Sequence, residues 1–172
     1  MIPPLFRFLL TFVVGVWVGF AIEILPWVQT NLVKPYINGV AWVCGVLIKL
    51  FGGDAVVTEA VIRSQSNGFA VEIANGCSGL EVGTLLGAAV IAFGSISFRK
   101  RLIGFFACSL AIILINTIRV ISLFYLGQYS KPLFDWAHLY IWDVLIILDG
   151  IVVYILWIKW SLGSLPSKHA AQ

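Results

Sequence analysis

The sequence predicts an all-α polytopic membrane protein: about four transmembrane helices, an interfacial helix and a small extracytoplasmic β-hairpin. Three observations carry this. Of 172 residues, 60% are hydrophobic and only 11% charged, against about a quarter charged in a soluble domain. The apolar residues gather in runs long enough to cross a hydrocarbon core of about 30 Å. One polar-mixed segment interrupts them, and it holds Asn67-Gly68, a strong hairpin signal. Residues 1–172 are expected to form a single integral membrane domain.

Leu5–Leu25 is the first span, flanked by Arg7 at its start and by Glu23, Pro26 and Trp27 near its end. No small-x-small cleavage site follows it, so it reads as a retained span rather than a signal peptide. Between Lys34 and Lys49 the uncharged core, Tyr36–Ile48, is shorter than the ~17–25 residues of a span. It is expected to lie in the interface with Trp42 at headgroup level; a short tilted span is the alternative.

Residues 55–74 are expected to form the hairpin. A two-residue loop at Asn67-Gly68 would pair Ile62 with Ile73 and Arg63 with Glu72, apolar on one face and charged on the other. Ser78–Ser97 is the second span, with small residues suited to close helix packing. Arg99-Lys100-Arg101 follows, the densest basic cluster, and is placed in the cytoplasm by the positive-inside rule. Leu102–Leu126 is the third span, Gly127–Ala137 a short polar loop and Tyr140–Trp160 the fourth span. A polar tail with Lys168 runs to Gln172. On this parity both termini are cytoplasmic, whereas Cys77, the loop with His138 and the outer end of the third span are extracytoplasmic.

Charge and cysteine usage exclude several classes. The net charge is only +3, and no basic run interleaved with aromatics suggests a nucleic-acid surface. Cys44, Cys77 and Cys108 contain no C-x-x-C and suggest no disulfide framework. His138 and His169 form no ligand-spaced cluster with them, so neither a metal nor a cofactor is expected.

The candidate chemistry lies in three residues that converge on one membrane face. Cys77 is expected at the mouth of a helix, where the dipole and free N–H groups would leave its thiolate partly populated near neutral pH. Arg119 lies about 10 Å below the outer end of the third span, where a charge is costly. His138 at the outer start of the last span is the obvious general base. Glu81 is expected to pair with Arg119, and Asn116, one turn before it, to join a polar stripe. Asp143 and Asp149 are expected at most in an internal polar network, Cys44 and Cys108 in packing, and His169 in no role. A thiol, an imidazole and a guanidinium constitute a set for acyl transfer: nucleophile, proton carrier and oxyanion donor.

NGCSGLE before a span, NTIRV late in the next and AHLY at the start of the last resemble the exosortase/archaeosortase family. The short length, FAVEIANGC and ISLFYLGQ look most like its exosortase H branch. The resemblance implies a cysteine transpeptidase of the bacterial cytoplasmic (inner) membrane. Its implied substrates are exported proteins with a C-terminal sorting tail of short motif, apolar span and basic end, here an IPTL-type signal; the acceptor stays unknown. Carried over residue by residue, it makes Cys77 the nucleophile, with Arg119 and His138 as its partners. A rhomboid-type protease lacks its serine signature here, and a thiol oxidoreductase lacks a second exposed cysteine. A non-enzymatic scaffold or small transporter subunit, with a structural Glu81–Arg119 pair, is the remaining alternative.

Overall fold

A computed structural model describes residues 3–163. Lys168, His169 and the polar tail lie outside the described residues. The chain runs α1 (Pro4–Glu23), α2 (Pro26–Leu50), β1 (Ala55–Thr58), β2 (Val61–Ser64), β3 (Ala70–Glu72), α3 (Leu80–Ala92), α4 (Phe98–Tyr129) and α5 (Lys131–Gly163). Short π-helical turns interrupt α2 at Gln29–Val33 and α5 at Ala137–Ile141. The architecture is helical and polytopic, with one three-stranded sheet.

Four helices, α1, α2, α4 and α5, are long and apolar enough to cross a membrane. They are not the four expected. The expected second span, Ser78–Ser97, is helical only over the 13 residues of α3, about 20 Å at 1.5 Å per residue. Gly94, Ser95 and Ser97, all poor helix formers, stand beyond its end. α1 packs along α3, with Gly15 against Ala88 and Gly19 against Thr84. Glycines four apart let the two backbones approach, as small residues do between membrane helices.

The helix expected to lie in the interface, α2, is 25 residues long. Its buried face, Ile37, Val40, Ala41, Cys44 and Ile48, shares a core with Ala55, Ile62, Val71 and Ile73 of the sheet segment and with Val120 and Phe124 of α4. α4 has 32 residues, about 48 Å of helix, well beyond the ~30 Å hydrocarbon core. Its first half packs in a second core, where Cys108 and Ile112 meet Leu86 and Val90 of α3 and Trp157 of α5.

The expected polar loop Gly127–Ala137 is absent. α4 continues to Tyr129, Ser130 alone is extended, and α5 starts at once with Pro132 in its first turn, where its missing N–H costs nothing. His138 therefore lies within a helix, in its π turn.

The sheet also differs from expectation. It has the order β1-β2-β3 and is antiparallel throughout. The stretch read as one strand folds back at Glu59-Ala60, where Glu59 takes φ 55°; nothing in that dipeptide marks a tight turn. In the second hairpin Ile62 faces Val71 and Arg63 faces Ala70, two residues out from the expected register. The loop is longer because Asp54 accepts hydrogen bonds from the Ser64 hydroxyl at 3.0 Å and from the Ser66 amide, while the Asn67 side chain accepts the Phe69 amide at 2.9 Å. A slip of two preserves the faces of a strand, so Ile62, Val71 and Ile73 are still buried. The expected Arg63–Glu72 facing pair is not formed.

At the opposite end of α4 the basic cluster serves neighbouring helices. Arg101 donates to the Ile91 carbonyl at 3.2 Å and Lys100 to the Ser161 carbonyl at 3.1 Å. Ile91 lies in the last turn of α3, where carbonyls have no intrahelical donor.

Candidate active site

The segment Asn75–Ser78 links β3 to α3 and is held on all sides. Asn75–Cys77 is a 3-10 turn, and the Cys77 amide donates to the Ala74 carbonyl at 2.9 Å. Asn75 donates to the Gln29 side chain at 3.0 Å, which itself donates to the Glu23 carbonyl at 2.7 Å. The fully buried Ser78 donates to the Asn75 carbonyl at 2.7 Å, and its own carbonyl accepts Tyr36 at 3.2 Å. Gly79 then turns the chain at φ 81°, and a Cβ there would press on Ile112 and Asn116 at 3.3–3.4 Å. Only glycine suits both the angle and the space.

Cys77, Arg119 and His138 meet. The Cys77 Sγ lies 3.9 Å from Nε2 of His138 and 3.9 Å from Nη2 of Arg119. Together with Val120, Leu123 and Phe134 they border a cavity of about 160 Å³. The His138 ring stacks on Phe134 with centroids 5.7 Å apart, and its buried Nδ1 has no partner among the described residues. Stacking, not a carboxylate, orients the imidazole.

The supporting residues fall differently from expectation. Glu81 is exposed and does not pair with Arg119; its carboxylate lies near Gly76. The ion pair is Arg119–Asp143, at 3.1 Å, between a guanidinium side chain 4% exposed and a carboxylate 58% exposed. Asp143 was expected at most in an internal polar network, and its pairing with Arg119 was not foreseen: it lies five positions after His138, on a different face of a regular α-helix. The π turn at Ala137–Ile141 widens the helix just there and brings position i+5 toward the same side. Asn116 is fully buried beneath Gly79, with neither amide atom partnered among the described residues. It supports the loop and does not reach the sulfur. Gln29, Tyr36 and Phe134 carried no sequence signal beyond being polar or aromatic in an apolar chain, and Ser78 stood in the NGCSGLE motif without a role of its own.

The thiol also differs from expectation. Cys77 closes the 3-10 turn, with Ser78 and Gly79 between it and the first residue of α3, and it is half-buried. Burial pushes its pKa above the ordinary thiol value; Arg119 pulls it down, and Asp143 and Glu81 push it up. A raised pKa disfavours the thiolate, so the sulfur gains from a base that takes its proton.

A family model described as transmembrane exosortase (Exosortase_EpsH) matches residues 5–162. No curated protein and no solved structure matches the chain.

Proposed function

The chain belongs to the transmembrane exosortase family, and from that premise we propose that it is a cysteine transpeptidase that removes the C-terminal sorting tail of exported proteins. One observation carries the reading: a half-buried thiol lies 3.9 Å from both an imidazole and a guanidinium nitrogen. His138 Nε2 takes the Cys77 proton, and the sulfur adds to the carbonyl carbon of the bond to be cut. Arg119 Nη2 donates to the oxyanion that forms. The intermediate collapses, the C–N bond breaks, and His138 returns the proton to the departing amine of the tail. The protein remains as a thioester on Cys77. An acceptor nucleophile, deprotonated by His138, then releases it; water in that role gives simple proteolysis.

Asp143 is a positioning residue that holds Arg119 through its own ion pair. Phe134 does the same for His138 by stacking. The scaffold alternative rested on a Glu81–Arg119 pair, which is not formed. Residues 1–172 act as one unit in the bacterial inner membrane. The basic cluster at Arg99–Arg101 and both termini face the cytoplasm; the sheet and Cys77 face the other side. The packing of α2 on the sheet supports its lying alongside the sheet rather than crossing. The IPTL-type motif of the exosortase H branch is the proposed signal.

The test is co-expression with an exported protein bearing an IPTL-type tail. Wild-type enzyme should lower its mass by that of the tail, and Cys77→Ala should leave it whole. Equal tail removal by Cys77→Ala would overturn the assignment.

A further inference from the structure

We infer that the segment of substrate leading up to the cleaved bond binds as a fourth strand on the free edge of β3, parallel to it; the inference rests on the proposed peptide chemistry at Cys77. The sheet order leaves β3 at an edge. On its inner side, the Ser64 amide donates to the Phe69 carbonyl at 2.8 Å, and the Ile73 amide to the Ala60 carbonyl at 3.0 Å. Antiparallel ladders alternate, so Phe69, Val71 and Ile73 face β2, and Ala70 and Glu72 point their N–H and C=O groups outward. Both of those residues are exposed.

The outward edge borders the reaction site. Ala70, Val71, Glu72, Ile73 and Ala74 all line the same cavity as Cys77, Arg119 and His138. Side chains alternate along a strand, so a cavity on one face would meet every second residue. Five consecutive residues line it because the edge itself does. An extended peptide there finds unpaired backbone groups, and strand addition supplies affinity through them.

Direction follows from chain order. β3 runs from Ala70 toward Cys77. The residues that become the acyl group precede the cleaved carbonyl. With that carbonyl at Cys77, they extend back along β3, parallel to it. The cavity measures about 160 Å³, room for about five waters at ~30 Å³ each. That suits one side chain rather than a whole ligand. Val120, Leu123 and Phe134 give it an apolar wall, which suits one medium-sized apolar side chain near the cleaved bond.

Proline at Glu72 isolates the edge. It removes an N–H that points outward, leaves the ladder to β2 intact and fills the space where the added strand would lie. In the tailed-protein assay, Glu72→Pro should cut kcat/KM by at least about tenfold through KM, the loss of one well-made hydrogen bond plus a steric block. Glu72→Ala removes the same side chain and keeps the amide, so it should lose less than Glu72→Pro, and the difference between the two reads the backbone alone. Folding is checked independently: the detergent-solubilised full chain should melt where wild type does. Should Glu72→Pro melt early, Leu123→Trp, which fills the hollow from α4, provides the second arm and should give the same KM effect. As a direct readout, amides 70–74 of the Cys77→Ala chain should exchange at least about tenfold more slowly with the tailed protein bound. Wild-type kinetics in a well-folded Glu72→Pro or Leu123→Trp enzyme, or unchanged exchange at 70–74 in a co-purified complex, would sink strand addition and leave the transpeptidase reading standing. A wild-type enzyme that never removes the tail would sink both.

Discussion

The two ends of α4 use the same packing device to different ends. At Gly104, a Cβ would come within 1.9 Å of the Trp157 ring; at Gly127, within 2.0 Å of the Phe69 ring. Each glycine seats an aromatic from another element. Around Gly104 helix packs on helix, with Cys108, Leu86, Val90 and Trp157 in one core and Lys100 and Arg101 bonded to backbone carbonyls a turn before it. Around Gly127 the neighbours are a sheet, a one-residue break at Ser130 and a π turn. The groups of the site lie toward that second end: Arg119, Asp143, His138 and Cys77. Backbone can leave the regular helix there because a sheet and α2 cover it, whereas hydrocarbon would leave its polar groups unpaired. Irregularity and chemistry thus share one end of the helix, and the other end anchors it.

The largest effect expected is at Arg119. Lysine keeps the charge and loses the planar fork of donors. Arg119→Lys should accumulate like wild type yet process the tailed protein about 10²–10³ more slowly, the cost of a lost oxyanion donor. If Arg119 merely anchors its end of the helix, Arg119→Lys will keep its activity, and Arg119→Ala will recover abundance when Asp143→Ala removes the partner. Glu81→Ala should rescue neither, because Glu81 makes no pair with it.

The glycines test the comparison itself. Gly104→Leu and Gly127→Leu both overpack, at a cost of about 1–3 kcal/mol each. Gly104→Leu should lower the melting temperature and the amount of protein, with turnover per folded molecule unchanged. Gly127→Leu should push Phe69, and with it β3, away from the site, so turnover per folded molecule should fall as well. Equal turnover losses would show that the two ends do not divide anchoring from chemistry.

The sequence was legible where one rule governs one stretch. Apolar length located α1 and the bodies of α4 and α5. The cost of a buried charge singled out Arg119, and the strand pattern found the sheet. What escaped depends on groups distant in sequence. Asp54 reorganises the Ser64–Phe69 loop and shifts the register by two. Glu59-Ala60 turns the chain with no turn residue to mark it. Ser130 carries the whole break between two long helices because Pro132 fits a first helical turn as well as it fits a loop. The Cys77–Arg119–His138 juxtaposition was expected, but the Arg119–Asp143 pair was not, because only a π turn brings position 143 round to the site. Glu81, expected one turn below Cys77 and facing Arg119, is exposed instead.

A smaller effect is expected at Asp143, which acts through another residue. Asp143→Asn removes the partner of Arg119 and also one of the two negative charges that push the Cys77 thiol up. Turnover should fall by about tenfold as the guanidinium loses its anchor, less than for Arg119→Lys. The thiol should change in the opposite sense. Maleimide labelling of Cys77 in wild type should climb with pH through and beyond the ordinary thiol range. In Asp143→Asn that curve should move to lower pH. A merely structural aspartate would change abundance and leave the labelling curve in place.

The smallest effect is expected at Asp54, at the far rim of the sheet. Hydrogen bonds from Ser66, through side chain and amide, and from Ser64 hold its carboxyl below the ordinary carboxylate value. A depressed folded value means that the carboxylate stabilises the loop above its unfolded pKa, and that this contribution is lost as pH falls through the folded value. Solvent reaches the carboxylate and screens it, so the gain is local. In Asp54→Asn the side chain keeps its shape and one acceptor but cannot ionise. The Ser66 amide should therefore exchange faster in the variant than in wild type at neutral pH, and the two rates should converge once acid protonates the wild-type carboxyl. Amides around Gly104, at the anchoring end, should show the same ratio at every pH. A ratio at Ser66 that does not change between neutral and acid pH would mean that the loop is held by its backbone bonds alone. The two-residue register shift would then need a cause other than Asp54.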